Sequence, residues 1–301
     1  PAWLRTGCPA NAPLAGRDRL MIDLHTHTTC SDGTDTPREL VNAALIRGLT
    51  TVAITDHDSI AGWNEATNAL RGDLSLVLGA EISCLTQAGV SVHMLGLLFD
   101  GNNEDMVQML EQTCDDRVPR MVKMIELLNA AGIDVTMADV DAVKPAGATL
   151  GRPHLADALV ARGFIASRDL AFQGLLNNES EFYVAHMAPT PEVAIAQIRA
   201  AGGVAVIAHP FASHRGELLT SKDFISLVAA GLNGIEVDHR DQNPLEREML
   251  RAIAHDLDLV VTGSSDYHGI GKLNSLGENT TDPGEWARLE AMADERRVVK
   301  L

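Results

Sequence analysis

The sequence predicts an α/β fold, a barrel of alternating strands and helices with one helical insertion, and three observations support this prediction. Short apolar runs recur along the chain, and most are followed by a helical pattern, as in parallel βα units. Histidine, aspartate and glutamate residues gather where the strand-like runs end. The alternation stops between about residues 101 and 188, where the pattern is helical throughout.

The strand-like runs and the helices between them define the barrel. The predicted strands are Met21–His25, Thr51–Thr55, Ser75–Glu81, Ser91–Leu98, Gly203–Ala208, Gly234–Val237 and Leu259–Thr262. The predicted helices include Pro37–Arg47, Ile60–Arg71, Thr190–Ala201 and Ser221–Ala230. About seven such units indicate a closed or nearly closed βα barrel, in which the active site lies on the face where the strands end.

The helical insertion divides the barrel sequence into two parts. Its predicted helices are Glu104–Asp115, Val118–Ala131, Met137–Val143, Arg152–Arg162 and Ser167–Leu176. We therefore expect four segments: an N-terminal extension at 1–20, a first barrel part at 21–100, a cap at 101–188 and a second barrel part at 189–301.

The charge balance limits the partners of the chain. Its 301 residues include 24 Lys and Arg against 41 Asp and Glu, so the formal net charge is −17. Binding to a long nucleic-acid duplex requires clustered cations that neutralise phosphates, which this acidic chain is not expected to provide. The four cysteines have no Cys-x-x-Cys spacing, and no apolar run approaches the roughly 18–20 residues of a membrane span. These features favour a cytoplasmic protein that does not enter the membrane.

Side chains that commonly bind metals follow the strand-like runs. His25 and His27 are two residues apart, so both point to the same side of an extended chain. The same spacing joins Asp266 and His268 after the last run. The other candidate ligands are Asp32, His57, Glu81, His93 and His209.

Each of these nine residues has an ordinary alternative role when it is taken alone. A single histidine in a strand is more often a packed side chain, and a single Asp-x-His is more often a turn or a cap. The full set differs, because it would bring many buried charged groups to one edge of the barrel, where they need partners. Imidazole and carboxylate ligands without thiolates suit Mn, Fe or Zn, and a cluster of such ions suits hydrolysis of phosphate esters.

Four segments together resemble the polymerase and histidinol phosphatase (PHP) family, a branch of the amidohydrolase superfamily. They are Asp23–His27 with Ser31–Gly33, Thr55–Asp58, Ala208–Pro210 and Ser265–His268. The resemblance extends from about Met21 to Glu295. It implies a distorted (β/α)7 barrel, with the helical insertion as a cap, and a trinuclear metal site.

The resemblance also implies a role for each ligand. A first metal would be held by His25, His27, Glu81 and Asp266. A second metal would share Glu81 and add His93 and His209. A third metal would be held by Asp32, His57 and His268, although many relatives have a histidine in place of Asp32. We therefore expect two or three divalent ions per chain, Mn²⁺ before Fe²⁺ or Zn²⁺, and a metal-bridging hydroxide as the nucleophile.

The cap carries the segment Gly151-Arg152-Pro153-His154, and the sixth strand-like run leads to Arg240. Both features resemble one PHP subgroup, the 3′,5′-nucleoside bisphosphate phosphatases, whose members also act as 5′-to-3′ exoribonucleases on short RNA. Arg152, His154 and Arg240 would then contact substrate phosphate, since arginine can bond two oxygens at once. The residues alone are equally compatible with a capped helix start at Arg152 and a surface salt bridge at Arg240.

We expect a hydrolase that removes the 3′-phosphate from nucleoside 3′,5′-bisphosphates or releases nucleotides from the 5′ ends of short RNA. One alternative is histidinol-phosphate phosphatase or another small-molecule phosphomonoesterase, against which the Gly-Arg-Pro-His segment argues. An alternative from another class is a non-catalytic metal-binding PHP module. Such a module would lack ligands, whereas this sequence has the whole set.

Overall fold

The strands form one sheet in the computed structural model, which describes residues 20–185, 187–212, 218–295 and 298–301. The strands are β1 (Ile22–Asp23), β2 (Thr51–Ile54), β3 (Ser75–Leu85), β4 (Ser91–Leu97), β5 (Val204–Ala208), β6 (Gly234–Asp238), β7 (Val260–Gly263) and β8 (Val298–Val299). The order in the sheet follows the chain from β1 to β7, while β8 pairs with β3. The predicted N-terminal extension lies outside the described residues except for Leu20.

The sheet nearly closes into a barrel. Thr26 and Tyr267, which follow the two end strands β1 and β7, form a parallel bridge. Next to this bridge, the backbone N–H of His27 donates to the carbonyl of Tyr267 at 2.8 Å. The predicted fold class, a distorted barrel of seven strands with helices, is thereby confirmed.

Strand β4 corrects the expectation that all barrel strands are parallel. It is antiparallel to both β3 and β5, whereas β1, β2 and β3 are parallel to one another, as are β5, β6 and β7. The physical reason is the short connection between β3 and β4, since a parallel pair needs a crossover of a dozen or more residues. Instead a tight turn joins them, in which Thr86 N–H donates to Val90 O and Gly89 has a φ of +87°.

Helices cover the barrel and form the cap. They are α1 (Pro37–Arg47), α2 (Trp63–Ala69), α3 (Glu104–Ala130), α4 (Met137–Val143), α5 (Arg152–Ala161), α6 (Arg168–Gln173), α7 (Pro191–Ala200), α8 (Ser221–Ala230), α9 (Pro244–Asp256) and α10 (Pro283–Glu290). Side-chain caps define where several of these helices begin. At α1, the Thr36 side chain accepts the N–H of Glu39, and the Glu39 side chain accepts the N–H of Thr36. Helices α9 and α10 were not among the predicted helices.

Helix α3 connects the barrel to the cap. The sequence predicts two helices here, but the structure has one helix of 27 residues that continues through Pro119. Its first half packs Met106 and Leu110 into the core between the sheet and the barrel helices. Its second half packs Met121 and Leu128 into a separate core formed by the cap helices. Packing at both ends therefore holds the helix together despite the hydrogen bond that proline cannot donate.

Within the described residues, none of the helices combines the length and the apolar character that a bilayer crossing requires.

Candidate active site

The nine predicted ligands lie in one cluster, after the ends of β1, β2, β5 and β7 and within β3 and β4. Each residue belongs to at least one group whose ligand atoms all lie within 4.8 Å of one another. This histidine–carboxylate cluster consists of His25, His27, Asp32, His57, Glu81, His93, His209, Asp266 and His268. Most of its side chains are buried, and only His57 and His93 are more than a tenth exposed.

The tightest group joins β1, β3 and the loop after β7. The Nε2 atoms of His25 and His27 lie 3.0 Å apart. Glu81 Oε2 is 3.2 Å from the first nitrogen and 3.1 Å from the second. Asp266 Oδ1 lies 3.5 Å and 3.3 Å from the same two atoms. Two nitrogens and two carboxylate oxygens thus converge on one point, which is the arrangement of a divalent-metal site.

Glu81 connects this group to the ligands expected for a second metal. Its Oε1 atom lies 2.8 Å from His93 Nδ1 and 3.2 Å from His209 Nε2. Its two oxygens therefore face different sets of histidines. This division matches the bridging position that the family resemblance implied for Glu81.

A further group lies around Asp32. Its Oδ1 is 3.2 Å from His268 Nε2, and its Oδ2 is 3.8 Å from His57 Nε2. The buried atoms Asp32 Oδ1, His57 Nδ1 and His268 Nε2 have no hydrogen-bond partner of acceptable geometry among the described residues. Buried polar atoms normally have such partners, so these three fit a bound cation better than a hydrogen-bond network.

Burial and mutual charge shift the pKa values in the cluster in opposite directions. Burial lowers the pKa of His57 well below its usual value, although Glu81 and Asp32 oppose the shift. Burial also acts to lower the pKa of His25, but the surrounding carboxylates, Glu81 first, hold it well above its usual value. Burial would raise the pKa of Asp32, yet His268 and His57 keep it well below its usual range. The carboxylates therefore stay ionised, as metal binding requires.

The backbone is strained at the ends of two strands. His209 has a φ of +30° and Asp266 a φ of +52°, in the left-handed region that favours glycine. Such conformations cost about 1–3 kcal/mol each and persist where surrounding contacts hold them. The two residues are predicted ligands, so the strain directs their side chains into the cluster.

A second layer of polar residues supports the cluster, and sequence analysis missed it. Glu236 Oε1 lies 3.0 Å from His25 Nδ1, and Lys272 Nζ lies 2.8 Å from Asp266 Oδ2. His239 Nε2 approaches the same oxygen of Asp266 at 3.4 Å. The sequence did contain one sign of Glu236: it is a charged residue within the apolar run that forms the buried strand β6.

A cavity of about 460 Å³ lies between the cluster and the cap. Asp32, His57, His93 and His209 are among the residues that line it. Positively charged side chains also line it, in a chain whose overall charge is −17. These cavity arginines are Arg117, Arg120, Arg152, Arg168 and Arg240. Cationic groups and predicted metal ligands therefore line one space that suits one small anionic molecule.

Arg152 and Arg240, two predicted phosphate contacts, both line the cavity. Arg152 Nη1 donates to Asn178 Oδ1 at 2.7 Å, and its guanidinium packs over the rings of Phe172 and Tyr183. Arg240 donates from Nε and Nη2 to the two carboxylate oxygens of Glu278 at 2.8 Å and 2.7 Å. Their contact with a phosphate stays a prediction.

The third predicted phosphate contact, His154, is not among the described residues that line the cavity. It is 2% exposed, and its Nδ1 accepts the N–H of Gly151 at 3.1 Å in the first turn of α5. Burial lowers its pKa, which favours the neutral ring. The structure thus shows a helix-capping role for this side chain.

Arg117, Arg120 and Arg168 were not predicted. Arg117 is buried and donates to Asp58, Ser83 Oγ and the Leu150 carbonyl. Arg168 pairs with Asp157 and donates to the backbone carbonyl of Asp32, so it links the cap to the cluster. The pKa of Arg120 is lowered to about 10 by burial and by the nearby charge of Arg152.

Comparison with known proteins decides the family. The PHP domain model matches residues 23–136. The 5′-3′ exoribonuclease of Haemophilus influenzae is 35% identical over 259 residues, which cover 85% of this chain and 93% of that protein. The chain belongs to the PHP family. The 3′,5′-nucleoside bisphosphate phosphatase of Chromobacterium violaceum is 32% identical over 258 residues, 83% of this chain and 88% of that protein.

A solved structure agrees with the PHP assignment. A protein from Bifidobacterium adolescentis, described as a metal-dependent phosphoesterase, superposes with a TM-score of 0.85 at 41% identity. The match covers 91% of this chain and 96% of the other. The resemblance stated from the motifs is therefore confirmed, as is the expected class of metal-dependent phosphoester hydrolases.

Proposed function

We propose that this PHP protein removes the 3′-phosphate from nucleoside 3′,5′-bisphosphates or releases nucleotides from the 5′ ends of short RNA. One observation carries the proposal: a single cavity is lined both by members of the histidine–carboxylate cluster and by five arginines. Substrates of both kinds present one phosphoester to be cleaved and a second phosphate nearby. The relatives from H. influenzae and C. violaceum bear the names of these two activities.

Two features of the cluster suit divalent cations: its ligand atoms are imidazole nitrogens and carboxylate oxygens, and three of its buried atoms have no hydrogen-bond partner among the described residues. We propose that His25, His27, Glu81 and Asp266 hold one ion, that His93 and His209 share Glu81 for a second, and that Asp32, His57 and His268 hold a third. Nitrogen and oxygen donors without thiolate favour Mn²⁺, with Fe²⁺ or Zn²⁺ as alternatives. When bound, such ions would polarise the phosphoryl group and stabilise charge on the leaving oxygen.

The cavity arginines would hold the phosphate that is not cleaved. Arg152 presents a planar guanidinium fixed by Asn178 and two aromatic rings, so little rotational freedom is lost on binding. It can bond two phosphate oxygens at once. By fixing the second phosphate, the cap would orient the scissile one toward the cluster.

The cavity size limits the substrate. A volume of about 460 Å³ lies within the range of roughly 300–1,000 Å³ typical of small-ligand pockets. One nucleotide or the end of a short RNA fits such a space, whereas a duplex does not. The net charge of −17 supports the same restriction.

A rate comparison tests the proposal. One Mn²⁺-loaded preparation is assayed with a nucleoside 3′,5′-bisphosphate, a 5′-phosphorylated short RNA and histidinol phosphate, before and after chelation. We expect kcat/KM for at least one of the first two substrates to exceed that for histidinol phosphate, and chelation to abolish all activity. A preference for histidinol phosphate would support the monophosphatase alternative. Metal binding without turnover of any substrate would support the non-catalytic module.

A further inference from the structure

Glu236 lies in the middle of β6 and divides its two carboxylate oxygens between two predicted metal ligands. It is fully buried. Its Oε1 lies 3.0 Å from Nδ1 of His25, which follows β1. Its Oε2 accepts the backbone N–H of His209, which follows β5, at 2.9 Å. One side chain therefore contacts two ligands from distant strands that are assigned to different metals.

The contact with His25 determines which ring nitrogen faces the cluster. A carboxylate only accepts hydrogen bonds, so the proton of the neutral His25 ring lies on Nδ1. Its Nε2 then presents a lone pair toward Glu81 Oε2 at 3.2 Å and Asp266 Oδ1 at 3.5 Å. With the other tautomer, Nε2 would carry a hydrogen and could not bind a cation. Glu236 thereby selects the form of His25 that can act as a ligand.

The contact with His209 holds a strained backbone. The residue has a φ of +30°, and Glu236 fixes its N–H. From this position its Nε2 reaches Glu81 Oε1 at 3.2 Å. Without the acceptor, the buried N–H would lose its partner, and the strained conformation would lose one of the contacts that hold it.

We propose that Glu236 is a positioning residue that sets the His25 tautomer and the His209 backbone together, so that both metal positions form at once. The inference rests on the proposed metal site. Glu236 also lies close enough to His25 and His209 to bind an ion with them directly. The geometry favours the positioning role, because each of its oxygens already has a protein hydrogen-bond partner.

Substitution by glutamine tests the idea with almost no change in shape. A glutamine side chain has one oxygen and one NH₂ group, so it can accept from His25 or from His209 but not from both. The matched control is Glu285→Gln, since Glu285 also accepts a backbone N–H, that of Val261 at 3.1 Å, away from the cluster. Mn²⁺ binding is followed by the signal of free Mn²⁺ in electron paramagnetic resonance, and folding by Tm with and without Mn²⁺.

For Glu236→Gln we expect half-saturation at about 10–100-fold higher Mn²⁺, the loss typical of a removed partner of a metal ligand. At saturating Mn²⁺ the number of ions per chain should equal that of the wild type. The rise in Tm on adding a fixed, low Mn²⁺ concentration should be smaller than in the wild type. Glu285→Gln should bind Mn²⁺ like the wild type.

Two outcomes would overturn the positioning role. Wild-type affinity in Glu236→Gln would leave Glu236 as a structural residue only, and the loss of one whole ion at saturation would make it a direct ligand. If the variant does not fold, ¹⁵N–¹H correlation spectra of the His25 ring in wild-type protein loaded with diamagnetic Zn²⁺ decide, since a proton on Nε2 or none on Nδ1 contradicts the proposal. A wild type that binds neither Mn²⁺ nor Zn²⁺ would refute the proposed metal site instead. In that protein the Glu236 contact is still tested by the Nδ1 proton of His25, whose absence contradicts it.

Discussion

The histidine–carboxylate cluster and the cavity arginines line one cavity, but their charges are balanced in different ways. In the cluster, ligand atoms approach one another at 3.0–3.5 Å, and several buried atoms have no hydrogen-bond partner among the described residues. Three of the cavity arginines already have acidic partners: Arg117 has Asp58, Arg168 has Asp157 and Arg240 has Glu278. The cluster thus needs added positive charge, whereas these three arginines do not need added negative charge.

This difference separates two tasks. A group of buried ligands that requires cations is suited to the chemical step, which is common to all phosphoester substrates. An arginine that gives up an existing acidic partner to bind a phosphate gains only a moderate free energy of binding. Differences of this size can discriminate between substrates. Substitutions in the cluster should therefore lower kcat/KM for all phosphoester substrates. Substitutions of the arginines should lower kcat/KM mainly for substrates that carry a second phosphate.

The largest effect is expected for Glu81→Gln. This change keeps the volume but removes the charge that faces His25, His27, His93 and His209. We expect kcat/KM to fall on every phosphoester by more than the roughly 10²–10³-fold that the loss of one transition-state hydrogen bond costs. Steady-state rates with an aryl phosphate and a bisphosphate, together with metal content per chain, measure this. A fall in kcat/KM of less than tenfold would show that hydrolysis does not depend on the Glu81 carboxylate.

Arg117→Met should reduce stability rather than discriminate between substrates. The change leaves the carboxylate of Asp58 buried without its cation, and breaking such a pair costs about 3–5 kcal/mol of unfolding free energy. Urea denaturation measures the loss. The control is Arg162→Met, whose pairs with Asp134 and Asp139 are at the surface, where solvent screens the attraction and the loss of unfolding free energy should be small. Equal losses in both variants would contradict a structural role for Arg117.

Arg152→Ala should lower kcat/KM for a nucleoside 3′,5′-bisphosphate by about 10–100-fold, because hydrogen bonds to charged groups contribute about 1.5–3 kcal/mol. For an aryl phosphate, which has no second phosphate for Arg152 to bind, kcat/KM should fall by no more than about twofold. Arg152→Lys should recover only part of the rate, since lysine cannot bond two oxygens in one plane. Full recovery in the lysine variant would indicate a simple charge effect.

The smallest effect is expected at Arg240, which is 41% exposed on its side chain and paired with Glu278. Arg240→Ala should lower kcat/KM for the bisphosphate by about two- to fivefold, in line with the 0–1 kcal/mol of exposed ion pairs. Glu278→Ala should lower KM slightly, because it releases Arg240 for the substrate. An increase in KM in Glu278→Ala would argue that the pair itself holds the cavity in shape.

The sequence predicted the cluster better than its surroundings. The ligands follow strand ends, so strand periodicity and the barrel topology together predict that His25, His57 and Asp266 meet. Glu236 was visible as a charge within an apolar run, but its partners His25 and His209 come from strands that only the closed sheet brings near. The family and the fold class predicted from the motifs are confirmed.

The rest depended on packing that local patterns do not encode. The direction of β4 follows from a tight turn at Gly89, and the apolar pattern of a strand does not indicate its direction. Helix α3 continues through Pro119 because two different cores hold its halves. Arg117 and Arg168 reach the cavity only through the way the cap helices pack on the barrel.

The central claim is that the cluster performs the hydrolysis and the cap selects for a second phosphate. Its most direct test is the ratio of kcat/KM for a nucleoside 3′,5′-bisphosphate to kcat/KM for 4-nitrophenyl phosphate at one Mn²⁺ concentration. The account predicts that Glu81→Gln lowers both values and leaves the ratio near that of the wild type, while Arg152→Ala lowers the ratio about tenfold or more. An unchanged ratio in Arg152→Ala would contradict it.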